Sequence, residues 1–280
     1  MYDYHIHMYY SGRDTPKEFL QKTAEAGICG GAVISPYPAG HSRTAKADQR
    51  WQSRLESVLE FTSQTPGFLP VFWVDPTESD AQEQIFRAAE KGIRGFKVIC
   101  VHYYPKDILL PLGAAAETGL PVTFHCGILF NTAPAAKYNR PLEFEVLCQV
   151  KGLRFSLAHT GWPWTDEYNA VFGEFRWGPN NVDAYADLTP GTPDIYRKDV
   201  LKKLYLCGIP GIKKRVLWGS DSNALNYSVE PVKQLIRTDE AILAEIAVEA
   251  PKYGAEGSYD DILPLLAKEN MESFFARKEK

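Results

Sequence analysis

Eight times along the chain, a short run of branched and aromatic residues gives way to a polar loop and then to helix-forming sequence. That alternation constrains the fold more than any other feature. The runs are Tyr2–Met8, Gly31–Ser35, Phe68–Val74, Gly95–Ile99, Pro121–His125, Leu153–His159, Val182–Asp187 and Arg215–Gly219. Helices are expected from about Thr15 to Ala26-Gly27, then over Asp48–Ser63, Ser79–Lys91, Lys106–Thr118, Leu142–Val150 and Pro193–Cys207. The first has Thr15 as N-cap, Pro16 at the first helical position and Glu18 three residues after the cap. Parallel strands joined by right-handed helical crossovers close on themselves, so the expected fold is α/β, a (β/α)8 TIM barrel. An open doubly wound sheet would also alternate, but it would not bring the first, fifth and eighth runs together. The surplus helical sequence at Glu230–Arg237, Glu240–Glu249 and Tyr259–Ala276 is expected to pack over the barrel as extra C-terminal helices. No low-complexity linker interrupts residues 1–280, which read as one domain.

Composition narrows the class. With 45% hydrophobic and 24% charged residues, the chain reads as an ordinary soluble globular protein. Its net charge of −4 argues against nucleic acid as the main partner. No apolar run approaches the ~20 residues of a membrane span. The five cysteines are scattered without a CxxC pair, as expected of reduced thiols in a cytoplasmic protein. The first residues, a strand carrying charge and histidine, do not resemble a signal peptide. A small molecule is the expected partner.

In a parallel barrel, function gathers where strands end. The first run carries Asp3-Tyr4-His5-Ile6-His7, whose two histidines share a strand face because side chains alternate with period two. Asp3 shares that parity and is placed to orient His5 or the backbone from behind. His125 ends the fifth run, His159 the sixth, and Asp221 follows the eighth in Gly219-Ser220-Asp221. Alone, His5 and His7 could be a satisfied polar pair. Joined to the others, imidazoles and a carboxylate at strand ends suit Zn²⁺, with Mn²⁺, Fe²⁺ or Ni²⁺ as alternatives. A divalent cation there would lower the pKa of a bound water to roughly 7.

These motifs make the chain resemble the amidohydrolase superfamily over nearly its whole length. The resemblance is to the amidohydrolase-related branch that includes aminocarboxymuconate-semialdehyde decarboxylase, resorcylate-type decarboxylases and small lactonases. Asp3-x-His5-x-His7 is similar to its first-strand motif, His125 to its fifth-strand ligand, His159 to its sixth-strand histidine and Asp221 to its eighth-strand acid. Asn270–Phe275 resembles its closing helix, with Met271 and Ser273 in place of alanine and arginine. The resemblance implies one divalent metal held by His5, His7, His125 and Asp221. It implies that His159 polarises the water or the carbonyl and that Asp221 shuttles the proton. Hydrolysis of an amide, ester or lactone is the first expectation and non-oxidative decarboxylation of an unsaturated or aromatic acid the second. An inactive, metal-bound binding module is a third, against which the complete ligand and base set counts. A homodimer is compatible with the branch.

Lys97 in the fourth run shares parity with Gly95 and Ile99 and so can enter the barrel mouth. Binuclear relatives carry a carbamylated lysine bridging two metals on that strand. An uncarbamylated substrate or supporting residue is the favoured reading here, beside a plain salt bridge, and the bridge to a second metal is the lesser one. Substrate contacts are expected from loops after the strands. The richest are Tyr37 to Arg43, Phe130-Asn131 to Arg140, and Trp162-Pro163-Trp164. Arg43 or Arg140 could hold a carboxylate, or be surface arginines. Trp162 could wall a planar substrate or only cap the barrel. Tyr168 to Asn181 is read as a lid or an oligomer contact. Cys126 and Cys100 are expected in the core, and the loop histidines His41 and His102 outside the site.

Overall fold

The computed structural model describes residues 1–41, 50–130, 134–178, 182–254 and 261–277. Eight parallel strands follow one another in chain order: β1 (Tyr2–His7), β2 (Gly30–Ile34), β3 (Phe68–Trp73), β4 (Gly95–Val98), β5 (Val122–Phe124), β6 (Arg154–Leu157), β7 (Asp183–Asp187) and β8 (Val216–Leu217). The ends of the sheet meet: Tyr4 N–H donates to Trp218 O (3.1 Å) and His7 N–H to Ser222 O (2.8 Å). The expected (β/α)8 barrel is the fold observed.

Because parallel strands covered by helices are buried on both faces, their residues divide between two cores. The outer one, against the helices, takes Ile6, Val33, Phe72, Phe96, Val98 and Phe124, and also Cys100 and Cys126 as expected. The inner one takes Tyr4, Ala32, Ile34, Val71, Trp73 and Leu217. Its floor is the C-terminal segment, where α8 (Ile262–Pro264), a π-helical stretch (Leu265–Glu269) and α9 (Asn270–Phe275) run on continuously. Met271, Phe274 and Phe275 enter the inner core, and Arg154 at the start of β6 donates to Phe274 O (2.9 Å). The segment therefore closes the barrel end where strands begin, leaving the other end free.

The crossover helices α1 (Pro16–Glu25), α2 (Trp51–Ser63), α3 (Ala81–Glu90), α4 (Leu109–Thr118), α5 (Thr165–Trp177) and α6 (Asp194–Leu206) precede a long α7 (Val229–Glu249). The capping box of α1 forms as expected between Thr15 and Glu18. Three expectations change. The stretch after Tyr168 lies largely in α5, a barrel crossover: Tyr168, Val171, Phe172 and Phe175 fall at helical spacing and are buried, which removes the lid, while residues 179–181 lie outside the described residues. Glu230–Arg237 and Glu240–Glu249 form the single helix α7, because the Asp239 side chain bonds Arg197 and Trp218 instead of competing for its own backbone. Pro141–Gln149 tightens to a 3-10 helix, its buried residues Pro141, Phe144 and Leu147 being three apart, the period of that helix.

β1 departs from simple alternation. Asp3 pairs with Gly31 and Ile6 with Val33, so three steps on β1 match two on β2, a bulge that turns Tyr4 and His5 both inward. Asp3 then fastens backbone, as expected: it accepts from Ser220 N–H (2.9 Å), Tyr227 OH (2.9 Å) and His5 N–H (3.3 Å). Burial pushes its carboxyl up to about 6 against those hydrogen bonds.

Candidate metal centre and active-site cavity

His5 and His7 reach the same point from the end of β1. Their Nε2 atoms are 3.1 Å apart, and Asp221 Oδ1 lies 3.3 Å from His7 Nε2 and 3.7 Å from His5 Nε2. All three donor atoms fall within 4.8 Å of one another. The approach of the segment after β8 depends on Gly219, where an added Cβ would stand 2.6 Å from His5 Cβ. Burial, with Lys97 next, keeps His5 well below the usual imidazole range, and burial lowers His7 as well. Burial alone would raise Asp221, but the hydrogen bond from His7 and the nearby imidazoles hold its carboxyl well below the usual range.

Behind His5 stands a residue that the sequence reading missed. Asp187, the last residue of β7 and fully buried, accepts from His5 Nδ1 (2.9 Å), Thr189 N–H (2.6 Å) and the Tyr4 hydroxyl. On the other side, Lys97 Nζ lies 3.2 Å from His5 Nε2. The proton of His5 therefore belongs on Nδ1 and the lone pair on Nε2, toward His7 and Asp221. Two imidazole nitrogens and a carboxylate oxygen, one lone pair aimed by its hydrogen bonds, fit a borderline divalent cation.

The group opens into a cavity of about 280 Å³ whose wall includes His7, Lys97, His125, His159 and Asp221. Lys97 is fully buried at the barrel axis, and burial brings its ammonium down to about 8 against the pull of Asp187 and Asp221. His159 turns a nitrogen to Thr189 O (3.4 Å), and its ring lies 4.7 Å from that of His125. Both His159 (φ 60°) and Asp221 (φ 58°) adopt left-handed backbone, a conformation costing on the order of 1–3 kcal/mol that clusters at functional sites. His125 is brought to the cavity but not into the three-donor group, since its Nε2 faces Ile128 O (3.3 Å).

The expected substrate contacts divide. Arg140 does not reach the cavity wall: its guanidinium is paired with Glu167 (2.7 Å) and half exposed, so its charge is already spent. Arg43 lies outside the described residues. Trp162 stands beside the mouth, stacked on Phe130, which does line the cavity. His102 is exposed, as expected. His41 is not outside: it lines the cavity against the Trp73 ring (4.6 Å), and burial keeps it neutral, down to about 4. Asp187 was detectable as an acid ending a barrel strand, the same signal that singled out Asp221. For His41 the only signal was its place in the loop after β2.

The amidohydrolase family model matches residues 2–251. The chain belongs to the amidohydrolase family. Among solved structures, an amidohydrolase from Burkholderia multivorans with bound HEPES superimposes with a TM-score of 0.64 at 11% identity, covering 99% of each chain. Dihydroorotase from Campylobacter jejuni gives 0.57 at 14% identity over 100% of this chain and 84% of its own. A catalytic-lysine mutant of sialic acid aldolase from Ruminococcus gnavus gives 0.51 at 14% identity, over 89% of this chain and 75% of its own. At such identities the likeness is one of fold. No curated protein matches the chain. Amidohydrolases generally bind a divalent metal, and the His5–His7–Asp221 group can hold one. No helix among the described residues is long and apolar enough to cross a membrane.

Proposed function

We propose that this amidohydrolase is a metal-dependent hydrolase that cleaves a small amide, ester or lactone. One observation carries the reading: His7 and Asp221 of the His5–His7–Asp221 donor group share a single cavity wall with Lys97, His125 and His159. Zn²⁺ is the ion we assign, ahead of Mn²⁺, Fe²⁺ and Ni²⁺. When bound, the cation supplies Lewis acidity and a water of lowered pKa. The chain's own groups do the rest. Asp221, kept ionised by its imidazole neighbours, takes the proton released by the attacking water and returns it to the leaving nitrogen or oxygen. His159 donates a hydrogen bond to the carbonyl oxygen as charge builds there. The acyl C–N or C–O bond breaks, and the water oxygen remains in the new carboxyl group.

Lys97 favours a second reading, because a buried ammonium in the cavity can anchor a substrate carboxylate, as a decarboxylase requires. Zinc-loaded protein offered δ-valerolactone, phenyl acetate and N-acetyl amino acids should release acid from at least one of them. The activity should vanish with a chelator and return with metal. Release of CO₂ from 2,6-dihydroxybenzoate without acid release from the first panel would move the assignment to the decarboxylase. Silence on both panels, with metal bound, would remove the enzyme reading.

A further inference from the structure

Beyond the metal-binding end, the cavity wall continues outward as a row of rings. Phe130, in the loop after β5, lines the cavity and is 75% exposed. Its ring lies close to parallel with that of Trp162 after β6, at 6.3 Å and 23° between planes. Trp162 in turn lies 6.5 Å and 32° from Tyr196, which is 52% exposed near the start of α6. Three crossings thus contribute one aromatic ring each, at similar inclination, to the same stretch of rim. Grouped exposed apolar side chains of this size mark binding surfaces more often than they occur idly.

The ledge is tied to the chemistry through the backbone of one residue, Ile128. Ile128 N–H donates to Trp162 O (2.9 Å), while Ile128 O accepts from His125 Nε2 (3.3 Å). Gly127 permits this approach, since an added Cβ would lie 2.5 Å from Trp162 O. The imidazole on the cavity side and the indole on the rim are therefore positioned by the same backbone.

We propose that the ledge is a substrate subsite: the compound whose carbonyl enters the cavity carries a planar aromatic group that rests on Phe130, Trp162 and Tyr196. Flat rings at stacking distance suit an aryl group. The identity of the reacting end rests on the hydrolase reading; the ledge is tested by binding alone. Isothermal titration of the zinc-loaded full chain would compare 3-(2-hydroxyphenyl)propanoate with 5-hydroxypentanoate, the hydrolysis products of dihydrocoumarin and δ-valerolactone. The aryl acid should bind about tenfold more tightly, and Tyr196→Ala or Trp162→Ala should each cut that preference about threefold, as expected for loss of one stacked ring. Tyr196→Phe should preserve it. Tyr196 is a surface residue, so its variants stay folded even where Trp162→Ala does not. Equal or undetectable binding of the two acids, or a preference that survives in Tyr196→Ala, would overturn the subsite. So would a wild-type dimer, seen by sedimentation, that Tyr196→Ala converts to monomer, because the ledge would then join two copies of this chain. A retained aryl preference with no turnover of any lactone, ester or amide offered would remove the hydrolase and leave the ledge. Turnover of both lactones without preference would do the reverse.

Discussion

At the scale of single residues, burial holds the imidazoles of His5, His7 and His125 below their usual range, and what stands behind His5 aims it. His5 shows this most plainly: Asp187 accepts a hydrogen bond from its Nδ1–H, and the Nε2 lone pair is left facing His7 and Asp221. Asparagine at position 187 keeps the shape but offers an N–H as readily as an oxygen, so the His5 tautomer is no longer enforced. Asp187→Asn should weaken metal binding about 10–100-fold, measured by competition with a chromophoric chelator, while circular dichroism stays unchanged. An unaltered affinity would mean that Asp187 only fills space. His159 makes a contrasting case, since its nitrogen turns to Thr189 O and lies outside the three-donor group. His159→Ala should keep its metal by elemental analysis and lose about 10²–10⁴ in turnover, the usual contribution of one proton-handling or hydrogen-bonding group. Loss of the metal along with the rate would instead make His159 a ligand.

At the scale of elements, what could be read from the sequence was whatever depends on periodicity alone. Eight apolar runs with helical sequence between them were enough for the barrel, and the rule that strands end at the mouth was enough to collect His5, His7, His125, His159 and Asp221. What could not be read depends on contacts between distant segments. The bulge in β1 exists because Asp3 is fastened to Ser220 and Tyr227, more than 200 residues away. The continuity of α7 needs Arg197 beside Asp239, and the 3-10 stretch after Arg140 needs a wall for three residues at spacing three. The charge of Arg140 is met by Glu167, 27 residues further along the chain. Gly219 is another residue whose meaning is tertiary, because only the folded barrel places His5 Cβ beside it. Gly219→Ala should force β1 and β8 apart at their ends, costing about 1–3 kcal/mol from overpacking. It should also lower metal affinity, which urea unfolding and chelator competition would report separately. Normal metal binding in a normally stable variant would show that the gap yields without disturbing His5.

At the scale of the whole molecule, the two ends of the barrel carry different duties. The mouth holds the donor group, the cavity and the aromatic rim, while the opposite end is sealed by the C-terminal segment with Met271, Phe274 and Phe275 against the inner core. Phe275 packs where β4 and β5 begin, an added Cβ at Gly95 meeting its ring at 3.0 Å and Pro121 O at 3.2 Å. Removing that ring opens a void at the floor and leaves every cavity-lining side chain in place. Phe275→Ala should therefore cost about 3–5 kcal/mol. In a chain of this length that corresponds to a fall on the order of 10 °C in Tm by calorimetry. Metal content and the rate per folded molecule at 25 °C should stay as in the wild type. A variant that melted normally would mean that the segment does not close the barrel. A loss of metal at temperatures where it remains folded would mean that the floor and the mouth are coupled, with Phe274, Tyr4 and Asp187 as the chain of contacts between them.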